Sequence, residues 1–128
     1  MGYIYSILTS FLVFLNTTTN EIPYTAIEDA ISTNNSIEFV AFGRDKILLN
    51  ILGNEGVYSH SQAALVIKDF FSKKPGNNFK FIFKGKETSE GSFAIGTYTS
   101  KTESFRFTIQ FKKINTDFKI ESLTIEKS

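Results

Sequence analysis

The stretch SFRFTIQFKKINTDFKIESLTIEK, residues 104–127, decides the fold. Phe105, Phe107, Ile109 and Phe111 alternate with Arg106, Thr108 and Gln110, the period of a strand with one covered face. A short turn at Asn115–Thr116 sends the chain back. In the returning segment Phe118 and Ile120 share one parity, and Leu123 and Ile125 have the other. A regular strand would leave one of these pairs in water. One extra residue near Glu121–Ser122, a β-bulge, returns all four to the same side. The turn then sets Phe111 opposite Ile120. Beyond the bulge Ile109 meets Leu123, Phe107 meets Ile125, and Arg106 faces Glu126 on the outer side. A bulge bends its strand, so the hairpin predicts a sheet curved around a filler.

Working upstream, FKFIFKGKE (79–87) and SFAIGTYTS (92–100) have the same two-residue period. Polar turns at Ser89–Gly91 and Lys101–Glu103 join them to the hairpin as an antiparallel meander. Phe93 and Ile95 are expected on the inner face. Ala94, Gly96 and Tyr98 are expected on the outer one, beside Arg106, Thr108 and Gln110. Lys80, Lys84 and Lys86 line the first of these strands. Such a stripe can hold an anion; more often lysines guard a sheet edge against unwanted pairing.

The filler is GVYSHSQAALVIKDFF, residues 56–71. Ser59 followed by Gln62 is a capping box that starts a helix. His60, the single histidine, becomes its first residue and is expected to point to solvent. Ala63, Val66, Ile67 and Phe70 form the core stripe, flanked by Ala64 and Phe71. Leu65 falls on the polar side with Lys68 and Asp69, which makes it a candidate partner contact. Before this helix, DKILLNILG (45–53) reads as a strand covered on both faces or nearly so, with GNEG as its turn. IPYTAIEDAISTNN (22–35) reads as a first helix with Ile27, Ala30, Ile31 and Asn34 on one face. SIEFVAFG (36–43) reads as a short second helix, with Ile37, Val40 and Ala41 helically spaced and Gly43 as its stop.

Residues 1–20 carry no charged side chain. The apolar run from Tyr3 to Leu15 is shorter than the ~20 residues of a bilayer span and matches the core of a signal peptide. It has no Lys or Arg before it and no small-residue cleavage site after it, and a buried helix is the competing reading. The expectation is a signal peptide over 1–20, a single domain over 21–128, and export to the periplasm or beyond.

The chain of 128 residues has no cysteine, which excludes disulfides, thiolate metal sites and cysteine nucleophiles. Fourteen basic side chains balance thirteen acidic ones, so no nucleic-acid partner is expected. Of the fourteen phenylalanines, all but Phe11 and Phe14 lie beyond residue 20, enough to dominate one core.

ILGNEGVYSHSQAALVIKDFFSKKPGNNFKF, FAIGTYTS, SFRFTIQFKK and the closing IESLTIEK resemble a family of small exported bacterial proteins of unknown function. That family has a nuclear-transport-factor-2-like, or cystatin-like, fold. The resemblance covers roughly residues 22–128. It implies an α+β domain: N-terminal helices packed on a curved antiparallel sheet of about five strands. It implies no activity, because this scaffold hosts isomerases, dehydratases, transport factors and assembly domains. Many proteins of the fold pair through their sheets, so a homodimer is implied by resemblance alone.

Ketosteroid isomerase, which has this fold, sets an aspartate base and acidic donors in an apolar cone. No inward strand position expected here takes a proton. Glu121 lies at the bulge and reads as a solvated carboxylate beside Lys119 or Gln110. Asp29 points outward. Tyr24, Tyr58 and Tyr98 could supply hydroxyl donors, but read more simply as core rings with hydroxyls reaching the surface. His60 has no spaced companion for a metal. GxSxG and a phosphate loop are absent. No cofactor or metal is expected. The sequence reading is therefore a non-enzymatic exported domain that binds a partner protein or a small apolar ligand, with Tyr24, Tyr98, Arg106, Gln110 and Leu65 as contacts. The alternative is a small isomerase or lyase using Tyr58, His60 or Glu121.

Overall fold

The computed structural model describes residues 21–128; the expected signal peptide over 1–20 lies outside them. Helices α1 (Tyr24–Ser32) and α2 (Ser36–Ala41) lead into strands β1 (Gly43–Ile51) and β2 (Asn54–Ser59). Helix α3 (His60–Lys73) follows, then β3 (Asn78–Lys84), β4 (Gly91–Ser100), β5 (Glu103–Ile114) and β6 (Asp117–Lys127). The six strands form one sheet in the order β2-β1-β6-β5-β4-β3. The helices pack on its concave face, giving the α+β architecture expected.

The terminal hairpin has the register read from the sequence. Phe111 faces Ile120, Ile109 faces Leu123, Phe107 faces Ile125 and Arg106 faces Glu126. Gln110 faces Ser122, so Glu121 is the extra residue of the bulge. Beyond it Leu123 and Ile125 rejoin Ile120 inside, each no more than 1% exposed.

Four parts of the sequence reading need correction. The sheet has six strands rather than about five, because Asn54–Ser59, whose first three residues read as a turn, is a strand paired along β1. The sheet is mixed rather than purely antiparallel: β1 runs parallel to β6. The β1–β2 turn is only Leu52–Gly53, with φ of 52° and 91°, the left-handed pair that a tight hairpin requires. Gly43 opens β1 instead of stopping α2, whose last turn is closed by Phe42.

The fourth correction is the parity of β4. Ala94, Gly96 and Tyr98 face inward, opposite Ile109, Phe107 and Phe105, while Phe93 and Ile95 face outward, opposite Gln110 and Thr108. The reason is a ring from the next strand. Phe79 of β3 lies across Gly96, and a Cβ there would collide with it. Small residues on the inner side of β4 make room for aromatic side chains that β3 and α3 supply.

Helix α3 carries the capping box: Ser59 Oγ accepts from the Gln62 N–H, and Gln62 Oε1 accepts from the Ser59 N–H. Asn35 caps α2 by accepting from the Glu38 N–H at 3.0 Å. Ile27, Ala30 and Ile31 bury α1. Phe70 sits at the centre of the core, with ring centroids 5.3 Å from Phe105, 5.8 Å from Tyr98 and 6.0 Å from Phe107. Burial of each such ring contributes about 1.5–3 kcal/mol, and edge-to-face pairing adds ~0.5–1.5 kcal/mol per pair.

Candidate functional site

The concave face of the sheet is filled by side chains. Phe79, Tyr98, Phe105 and Phe107 are each no more than 1% exposed there, and Phe70 from α3 closes over them. One member, Tyr98, carries a hydroxyl into this cluster, contrary to the expectation of an inner face without a proton donor. The hydroxyl is matched. It donates to the Lys74 carbonyl at 2.7 Å and accepts from Asn34 Nδ2 at 3.3 Å. Burial raises its pKa above the usual phenol value. Tyr98 therefore ties the end of α3 and the α1–α2 turn to β4. Contact with a ligand would require opening the core.

Tyr24 lies at the mouth of the concave face, its ring edge-on to Phe81 at 5.1 Å with Lys84 Nζ 4.6 Å above it. Its hydroxyl is out of water and has no hydrogen-bond partner. Burial, then the charge of Glu87, raises its pKa. Ser92 stands near, but its own hydroxyl donates to the Gly85 carbonyl.

Two surface hollows hold most of the remaining candidates. The first, about 720 Å³, lies on the outer face across β2, β1, β6 and β5. Leu48 and Val57 line it together with Gln110, Ser122 and the Arg44–Glu121 ion pair, whose nitrogen and oxygen are 3.1 Å apart. Gln110 Oε1 accepts from the Ser122 hydroxyl at 3.2 Å. Glu121 is thus held by Arg44, not by Lys119 or Gln110 as read from the sequence. Both partners of the pair are more than a third exposed, so its stabilisation is small.

The second hollow is a trough of about 610 Å³ between α2 and α3. Val40, Ala41 and Ala64 line it between Ile37 and Leu65, which are 75% and 67% exposed. His60 stands at one end and Lys68 at the other. His60 is half-buried rather than solvent-pointing: its Nε2 donates to the Arg44 carbonyl at 2.5 Å. That bond fastens the start of α3 to β1.

The sequence candidates are therefore scattered. Glu121 and Gln110 share the outer hollow, His60 and Leu65 share the trough, and Tyr58 lines neither. Tyr58 is half-buried on β2, opposite Ile47 and packed against the edge of the core. Arg106 is held by Glu126 at 2.8 Å. The carboxylate whose pKa is pushed down is Glu103, through its hydrogen bond from Lys74, and it lines neither hollow. Among the described residues, no group of three or more His, Asp or Glu side chains could hold a metal ion. No helix among them is long and apolar enough to cross a membrane.

Ile37, Ala41, Ala64 and Lys68 were not singled out as a site from the sequence. The available signal was Leu65 on a polar helix face with Lys68 one turn on. Arg44 had no signal, since its partner lies 77 positions away.

A curved, unclosed six-stranded sheet backed by three helices is the nuclear-transport-factor-2-like architecture. The chain belongs to the family described as domain of unknown function DUF4783, whose model matches residues 24–126. A member from Bacteroides ovatus is 28% identical, with 85% of this chain and 97% of that chain covered and a TM-score of 0.77. A nuclear-transport-factor-2-like protein of unknown function from Shewanella baltica is 8% identical, covering 81% and 86% at a TM-score of 0.63. A ketosteroid isomerase-like protein from Erwinia carotovora atroseptica is 15% identical, covering 80% and 88%, also at 0.63. The last two share the fold alone. No curated protein matches the chain.

Proposed function

We propose that the protein is an exported, non-enzymatic binding domain that takes a partner protein or a small apolar ligand in the trough between α2 and α3. The supporting observation is the trough itself: an apolar hollow flanked by exposed Ile37 and Leu65. Large aliphatic side chains left in water around a hollow mark interaction sites on soluble domains. The face on which ketosteroid isomerase builds its catalytic cone is here packed with phenylalanine rings.

The isomerase or lyase reading asks for two of Tyr58, His60 and Glu121 at one hollow. They line different ones or none, which favours binding over catalysis. A homodimer would use the outer sheet face, where Phe83 and Phe93 stack at 5.4 Å and are 49% and 41% exposed.

The test is titration with the apolar dye 1-anilinonaphthalene-8-sulfonate, comparing wild type with Leu65→Glu. Saturable binding that falls at least about tenfold in the variant supports the reading. Equal binding by both proteins refutes it. Sequencing the N-terminus of material recovered outside the cytoplasm tests export: a start near residue 21 is expected, and an intact leader on wholly cytoplasmic protein contradicts it.

A further inference from the structure

We infer that the occupant of the α2–α3 trough is an amphipathic α-helix of a partner protein, apolar over two turns and carrying a carboxylate that meets Lys68. The inference rests on the binding reading above and narrows it. The trough follows α3 from His60 to Lys68, a rise of about 12 Å or two helical turns. Its sides are two helices, and its floor holds buried Val40 and Ala64, with exposed Ala41 beside them. Small side chains between two aliphatic ridges let another rod approach closely, the ridge-in-groove arrangement by which helices pack. Ile37 and Leu65 stand out on opposite sides as ridges. An apolar helix laid between them would cover both, as amphipathic helices do in apolar grooves.

Charge selects the partner's sign. No carboxylate lines the trough. Lys68 belongs to the lining and has no ion pair among the described residues, so its ammonium is free to meet an incoming anion. Beyond Lys68 the surface continues as a polar hollow lined by Thr33, Asn34, Asn35 and Ser36, again without a carboxylate. An acidic side chain there gains a charge-assisted bond. The carbonyl end of the incoming helix is also favoured beside a cation.

The test is selection from a displayed library of random 16-residue peptides on the full-length protein, followed by anisotropy measurements on the synthetic winners. Apolar residues at helical spacing with Asp or Glu at one end are expected. Leu65→Glu and, independently, Ile37→Glu should each weaken binding at least about tenfold. Lys68→Glu should weaken it several-fold, and replacing the peptide's acid by Lys should restore it. All three sites are exposed, and unchanged melting confirms folding. Winners without helical spacing, or winners indifferent to Lys68→Glu, overturn the inference while leaving a binding trough. Peptides and dodecanoate both indifferent to Leu65→Glu and Ile37→Glu overturn the trough as a binding site as well.

Discussion

Replacing Tyr98 with Phe tests the internal architecture with a single atom. The ring remains in its cluster, so the packing on Phe70, Phe71, Phe105 and Phe107 is kept. The lost oxygen makes two hydrogen bonds, to the Lys74 carbonyl at 2.7 Å and from Asn34 Nδ2 at 3.3 Å. The first is short; the second is long and contributes little. A matched hydrogen bond is worth about 1 kcal/mol net, and a stranded buried carbonyl costs about 1–3 kcal/mol. A loss of about 2 kcal/mol follows, or about 10 °C in Tm for a domain of this size. Urea unfolding with an unchanged m-value would measure it. The pH dependence supplies a second readout. The folded pKa of Tyr98 is raised by burial, so the hydroxyl's contribution is complete below about pH 10 and is lost as pH climbs through the folded value. The stability gap between wild type and Tyr98→Phe should therefore be flat below about pH 10 and narrow above it. A variant within about 0.3 kcal/mol of wild type at pH 7 would refute the view that this hydroxyl joins α3 and the α1–α2 turn to the sheet.

Glu28 accepts from the Phe81 N–H at 2.9 Å, so α1 covers part of the free edge of β3. Glu28→Ala should cost about 1–2 kcal/mol in urea unfolding and promote association at high concentration; no change in either would show the edge is protected by other means. Leu52 holds a φ of 52° in the β1–β2 turn and is 43% exposed. Leu52→Asn should raise stability by about 0.5–1 kcal/mol in calorimetry, and a lower Tm would contradict that reading of the turn. Arg106 and Glu126 are each about half exposed, so a double-mutant cycle on them should return no more than about 0.5 kcal/mol of coupling. A coupling above about 1.5 kcal/mol would give the pair a larger structural role than its exposure allows.

The terminal hairpin was legible down to single residue pairs. The apolar side chains of β5 alternate strictly, and an extra residue between Ile120 and Leu123 is needed to keep Ile120, Leu123 and Ile125 together. The start of α3 was legible because Ser59 and Gln62 satisfy backbone donors locally. Elements defined by distant neighbours were not. Asn54, Glu55 and Gly56 have the composition of a turn, and their strand exists because β1 offers an edge. The inner face of β4 reads as small and polar; it is buried because Phe79 crosses Gly96. Glu121 was placed correctly at the bulge, but its partner Arg44 comes from β1. His60 was rightly set at the helix start, yet its bond to the Arg44 carbonyl depends on β1 passing beside that turn. The trough was hidden for the same reason, since Ile37 and Leu65 become neighbours of one hollow only when α2 packs on α3.

The central claim is that the concave face is closed by aromatic rings and that binding belongs to the trough outside it. Methyl and aromatic NMR spectra, recorded while the protein is titrated with dodecanoate and with a selected helical peptide, test both halves at once. The account predicts shifts at Ile37, Ala41, Ala64 and Leu65, with Phe79, Phe105, Phe107 and Ile109 unmoved. Saturable shifts among those four inner residues, with the trough silent, would contradict it.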